Sequence, residues 1–136
     1  MTDRSDLLGS PKLYQLLAER MAADEDWTAL GKELNFSMTH VYEADPELAV
    51  SFGFRDGALV GVTEGRGDAP ADFVLSGPIE VWERMLISGE LTPQIALMTR
   101  QLGVEGPLSE LISRMDAFNH LFDLLAEVAD ETSTGG

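Results

Sequence analysis

A chain of 136 residues, 44% hydrophobic and 24% charged, fits one globular domain long enough to bury its own core. Its 24 acidic residues against 9 lysines and arginines leave a formal charge of −15, which opposes both nucleic-acid phosphates and anionic bilayers. The lack of cysteine excludes disulfides, thiolate metal sites and thiol nucleophiles, and no run approaches the roughly 20 apolar residues of a membrane span.

The start, MTDRSDLLGS, lacks the apolar segment of a signal peptide, so the expectation is a cytoplasmic protein without stable membrane association. Residues 1–9 read as a polar lead to a single domain spanning 1–130. Pro11 suits a first helical turn with Ser10 as its cap. Leu13, Leu16, Leu17 and Met21 then recur at helical spacing, so 11–33 is expected to be helical, with the acidic run at Asp24–Asp26 interrupting or kinking it.

Over 35–76 the period changes to two. Phe36, Met38, His40 and Tyr42 alternate with Ser37, Thr39 and Val41, and Leu48, Val50, Phe52 and Phe54 alternate with small residues. Asp56-Gly57 is a strong hairpin signal, because both central positions of a type I′ turn need positive φ. ALVGVTE continues the pattern and, after the loop GRGDAP, ADFVLSG supplies a fourth strand. The expected arrangement is an antiparallel meander with one face built for burial.

Helices return over 78–128. Ile79, Trp82 and Leu86 share a stripe after Ser76-Gly77-Pro78, Thr92-Pro93 opens a second helix, and Leu102 to Glu105 suits an added edge strand. Leu108, Leu111, Met115, Phe118, Phe122 and Leu125 form the stripe of a terminal helix or helix pair, and 131–136 read as a disordered tail. The order predicts an α+β fold, a mostly antiparallel five-stranded sheet covered by helices on one face.

Chemical signals are sparse. His40 and His120 have no neighbouring ligand at metal spacing and are expected on a strand face and a solvated helix side, so neither metal nor cofactor is predicted. Asp72 beside Phe73 and Asp116 near Phe118 are the candidates for a desolvated carboxylate base, although a capping role explains Asp116 better. Ser76 and Ser109 lack a base, so nucleophilic catalysis has no support. GRGD and GVTEGRG arise readily in glycine-rich loops, and the Gly-Lys-Ser/Thr end of a phosphate loop is missing. Arg84, Arg100 and Arg114 are the basic groups of the helical half.

The stretch ADFVLSGPIEVWERMLISGELTPQIALMTRQLGVEG, Ala71 to Gly106, resembles the signature of the sterol carrier protein type 2 domain family. Ser88-Gly89, Leu91, Pro93-Gln94, Ala96, Leu102 and Gly106 stand where the family pattern has them, and the resemblance extends over about Phe36 to Phe122. Glu90 occupies a position commonly held by Lys, and a second commonly basic stretch carries Gln101 and Val104, which weakens any attraction for a CoA phosphate. The resemblance implies an apolar tunnel between sheet and helices and a binding rather than a catalytic role. Its wall is expected from Phe52, Phe54, Leu75, Trp82, Met85, Leu86, Ile95, Met98, Leu102, Leu111, Met115, Phe118 and Phe122, with Arg100 as contact for a ligand head group.

The expected guest is a long apolar lipid: a fatty acid, acyl chain, sterol-like or isoprenoid molecule. Methionine-rich walls adapt to such shapes. A sealed void of ~300–1,000 Å³ at ~24 cal/mol per Å³ costs ~7–24 kcal/mol, against a net stability of ~5–15 kcal/mol. Either the helices close over the space or something apolar fills it. The alternative expectation is an accessory module that uses the same surface for homodimerisation or partner docking, and an enzyme acting on an apolar substrate ranks third.

Overall fold

The computed structural model describes residues 10–44, 47–65 and 71–134, the side chains of 131–134 excepted. The polar lead, most of the GRGDAP loop and residues 135–136 lie outside the described residues. Two short helices open the chain: α1 (Pro11–Ala22) and α2 (Glu25–Gly31). Ser10 caps the first and Asp24 the second, its side chain accepting from the Trp27 amide at 2.7 Å, so the acidic run divides the region through cap chemistry. The strands are β1 (Ser37–Glu43), β2 (Leu48–Arg55), β3 (Ala58–Glu64), β4 (Phe73–Pro78) and β5 (Gly103–Glu105). Between the last two lie α3 (Ile79–Leu86) and α4 (Pro93–Met98), and α5 (Leu108–Ser113) and α6 (Met115–Thr134) complete the chain.

The sheet order is β3-β2-β1-β4-β5, and β4 runs parallel to β1 while the other pairs are antiparallel. The expected meander is corrected here: the sheet is mixed, and the chain crosses from β3 at one edge to the far side of β1. In a meander β1 would be an edge strand, yet Met38 through Tyr42 are all buried. Pairing β4 beside it satisfies both rows of its backbone groups. The β2–β3 turn has the positive φ values that Asp56-Gly57 signals, 51° and 86°. Gly57 is required twice, because a Cβ there would lie 2.5 Å from the Gly31 carbonyl, and its own carbonyl accepts from the Trp27 indole at 2.7 Å.

Met38, His40 and Tyr42 point from β1 toward the helices, with Phe52 and Val50 beside them on β2 and Phe73 and Leu75 on β4. Trp82 of α3, Phe122 of α6 and Tyr14 of α1 close over this layer. Gly77 faces the Gln101–Leu102 segment so closely that a Cβ would meet the Gln101 carbonyl at 3.1 Å. Its smallness lets the chain return from α4 to the sheet edge as β5.

Candidate functional site

Ten of the thirteen expected wall residues, namely Phe52, Phe54, Leu75, Trp82, Met85, Leu86, Leu102, Leu111, Phe118 and Phe122, are buried in one continuous core. The space between sheet and helices at this level is filled by rings. His40 lies 5.0 Å from Phe52, 5.1 Å from Trp82 and 5.6 Å from Phe122, centroid to centroid, and Tyr42 stacks on Trp82 at 4.2 Å.

The core contains a polar thread that strand alternation alone does not reveal. The Tyr14 hydroxyl lies 2.5 Å from that of Tyr42 and 2.8 Å from His40 Nδ1, while His40 Nε2 lies 3.1 Å from Met38 Sδ. One proton arrangement satisfies the series: Tyr42 donates to Tyr14, Tyr14 donates to Nδ1, and Nε2–H points at the sulfur. Burial pushes the His40 pKa down to about 3, so the ring is neutral. Burial, reinforced by Tyr42, raises that of Tyr14 well above its ordinary value, so the phenol stays protonated. The Trp82 indole donates to the Val41 carbonyl at 2.9 Å, which fixes α3 on the central strand.

The other three wall residues lie elsewhere. Met98 and Met115 line an open apolar groove of about 590 Å³ between α4 and the junction of α5 with α6, together with Leu97, Leu108 and Ile112. Gln94, Arg100 and Asp116 are its polar members. Ile95 is half exposed and does not line it. Two other cavities, of about 270 and 330 Å³, are smaller. The groove forms because α5 ends at Arg114, whose amide turns back to the Leu111 carbonyl at 3.2 Å, so the stripe is not carried in phase through both helices. Leu111 remains in the core, whereas Leu108 and Ile112 face outward as an i, i+4 pair.

Arg100 sits at the C-terminal exit of α4 with φ 61°. The Gln101 and Leu102 amides both donate to the Ala96 carbonyl, at 2.9 and 3.0 Å, so this is a left-handed helix exit of the kind normally given to glycine. A side-chain-bearing residue there costs about 1–2 kcal/mol. The guanidinium makes no hydrogen bond or ion pair with the described residues, whereas Arg84 bonds Gln101 at 2.9 Å and approaches Glu90 at 3.8 Å.

The candidates for acid–base chemistry are placed outside any desolvated pocket. Asp72 is exposed and accepts from the Ser37 amide at 2.9 Å, and Asp116 lies exposed on the groove rim. His120 departs from the solvated position expected for it: its Nε2 is 3.0 Å from Asp24, tying α6 to the α1–α2 junction. Hydrogen bonds from His120 and the Trp27 amide lower the Asp24 pKa. Asp24, Asp26 and His120 bring ligand atoms within 4.8 Å of one another, but Asp24 Oδ1 is already engaged by the Trp27 amide and His120, as a helix cap and an inter-helix hydrogen bond.

Among the described residues no helix is long and apolar enough to cross a membrane. The SCP-2 sterol transfer family model matches residues 14–118. Among solved structures, one of sterol carrier protein 2 shares 24% identity at a TM-score of 0.79, covering 88% of this chain and 98% of its own. A protein from Thermus thermophilus, described as possibly a sterol carrier protein, shares 25% identity at a TM-score of 0.79, covering 89% of each chain. Apo sterol carrier protein 2 from Yarrowia lipolytica shares 14% at 0.56, covering 83% and 88%. No curated relative matches the chain in sequence.

Proposed function

Since the chain belongs to the SCP-2 sterol transfer family, we propose that it binds a long apolar lipid non-covalently, passes it on, and catalyses no reaction on it. The observation that carries this reading is the groove, whose volume of about 590 Å³ falls within the ~300–1,000 Å³ of small-molecule sites. Its Leu97, Met98, Leu108, Ile112 and Met115 side chains form an adaptable wall for an alkyl chain, with sequestered apolar area as the driving force.

Arg100 favours a lipid ending in an anionic group such as a carboxylate. In a chain with 24 acidic residues, a guanidinium that pairs with none of the described carboxylates is available for a charge-assisted bond to the guest. Holding the ligand at the rim requires no rearrangement of the ring cluster, which supports the groove over the core as the resting site.

Native mass spectrometry and titration with a fluorescent long-chain fatty acid test the reading together. Lipid-mass adducts, and probe binding competed by unlabelled fatty acid, are expected; an empty chain that does not bind the probe overturns it. Arg100→Ala is expected to weaken fatty-acid binding about five-fold while leaving the matching fatty alcohol unchanged. Equal losses for both ligands would remove the head-group role.

A further inference from the structure

Four of the seven exposed large hydrophobics among the described residues cluster at one place. Met98 is 75% exposed, Ile112 57%, Ile95 50% and Leu108 45%. Three of them line the groove, and Ile95 lies one helical turn before Met98 on α4. The other three, Leu30, Leu48 and Val60, are scattered over α2, β2 and β3. Singly exposed apolar side chains are ordinary on a protein surface, whereas a contiguous set from two elements marks a contact.

We infer that this collar is a reversible docking surface for the headgroup–acyl boundary of a zwitterionic phospholipid bilayer, set down with the groove mouth against the membrane. The inference rests on the lipid-binding reading of the groove and adds where its guest is exchanged. Charge selects the occupant. The groove carries one arginine and one aspartate, which cancel, while the whole chain carries −15. The groove lining is thus formally neutral, and the acidic surface of the rest of the chain is repelled by anionic lipid. A zwitterionic interface offers the apolar boundary without that repulsion. Side chains such as Met98 and Ile112 enter it as the apolar side of an interfacial element does. Because the collar is small and the groove lining includes Gln94, Arg100 and Asp116, the contact is brief.

The test uses the full chain with phosphatidylcholine vesicles and with vesicles of phosphatidylcholine and phosphatidylglycerol. Three quantities are read: co-flotation, delivery of a preloaded fluorescent fatty acid to the vesicles, and affinity for that probe in vesicle-free buffer. The expected result is stronger association with pure phosphatidylcholine, a difference that narrows as salt screens the charge. Ile95→Glu, outside the groove lining, should cut co-flotation and delivery about ten-fold and leave probe affinity and the unfolding midpoint unchanged.

Probe binding without wild-type co-flotation overturns the docking surface and spares the lipid site; absence of probe binding removes the lipid site itself. Preference for phosphatidylglycerol overturns the charge argument. An Ile95→Glu protein that still floats overturns the placement, and sedimentation showing a dimer that this variant dissociates makes a second copy the occupant.

Discussion

The same residue types build two opposite environments in this molecule. Around His40, Trp82, Phe122, Phe52 and two tyrosines meet ring to ring, and each polar atom of the Tyr42–Tyr14–His40 thread has a partner. Along α4 and α5, Leu, Ile and Met side chains of similar size face an open groove whose arginine pairs with none of the described residues. The first region stores stability; the second leaves attraction unspent on its own chain. The difference lies in neighbours rather than composition, since Met38 and Met98 share a side chain but not a surrounding.

Mutations that separate the two regions give the largest expected effect. Trp82→Ala removes a fully buried ring and its indole hydrogen bond to the Val41 carbonyl, and should cost about 3–5 kcal/mol in urea denaturation. Met98→Ala should change stability by no more than about 0.5 kcal/mol while weakening lipid binding. Comparable stability losses would erase the distinction.

Acid should strike the core next. His40 has a folded pKa of about 3 and an ordinary value of 6.5. Between these values the unfolded chain takes up a proton that the folded protein refuses. Stability is therefore fully present above about pH 6.5 and falls as pH drops toward 3, by about 1.4 kcal/mol per unit from this residue. Denaturation midpoints at stepped pH should show this slope, and His40→Leu should flatten its share. At the alkaline end the raised Tyr14 pKa works oppositely: its contribution is present below pH 10.0 and is lost as pH rises beyond it.

The smallest effect belongs to the helix exit. Arg100→Gly relieves the left-handed backbone and should raise stability by about 1 kcal/mol while lowering affinity for an anionic lipid. A stabilised variant with undiminished affinity would show that the arginine does not hold the head group.

Much of this architecture was legible because it rests on local rules. The period-two runs around His40 and Phe52, the Asp56-Gly57 turn and the Thr92-Pro93 helix start are backbone chemistry readable within a few residues. The signature over 71–106, written as ADFVLSG through LGVEG, carried the family as well. The pairing of β4 with β1 was not legible, because strand periodicity says which face is buried and nothing about which neighbour completes the ladder.

The candidate site divides along the same line. The sequence by itself determined an acidic, cysteine-free α+β domain with an oily helical half and Arg100 within it. Only the tertiary structure decided that ten of the thirteen expected wall residues, from strands and helices alike, close on one another, and that Met98, Leu108 and Ile112 stay open. Hydrophobic periodicity records a side chain's affinity for burial. Whether that affinity is met inside the chain depends on breaks such as Arg114, where one helix ends and the next takes a new direction.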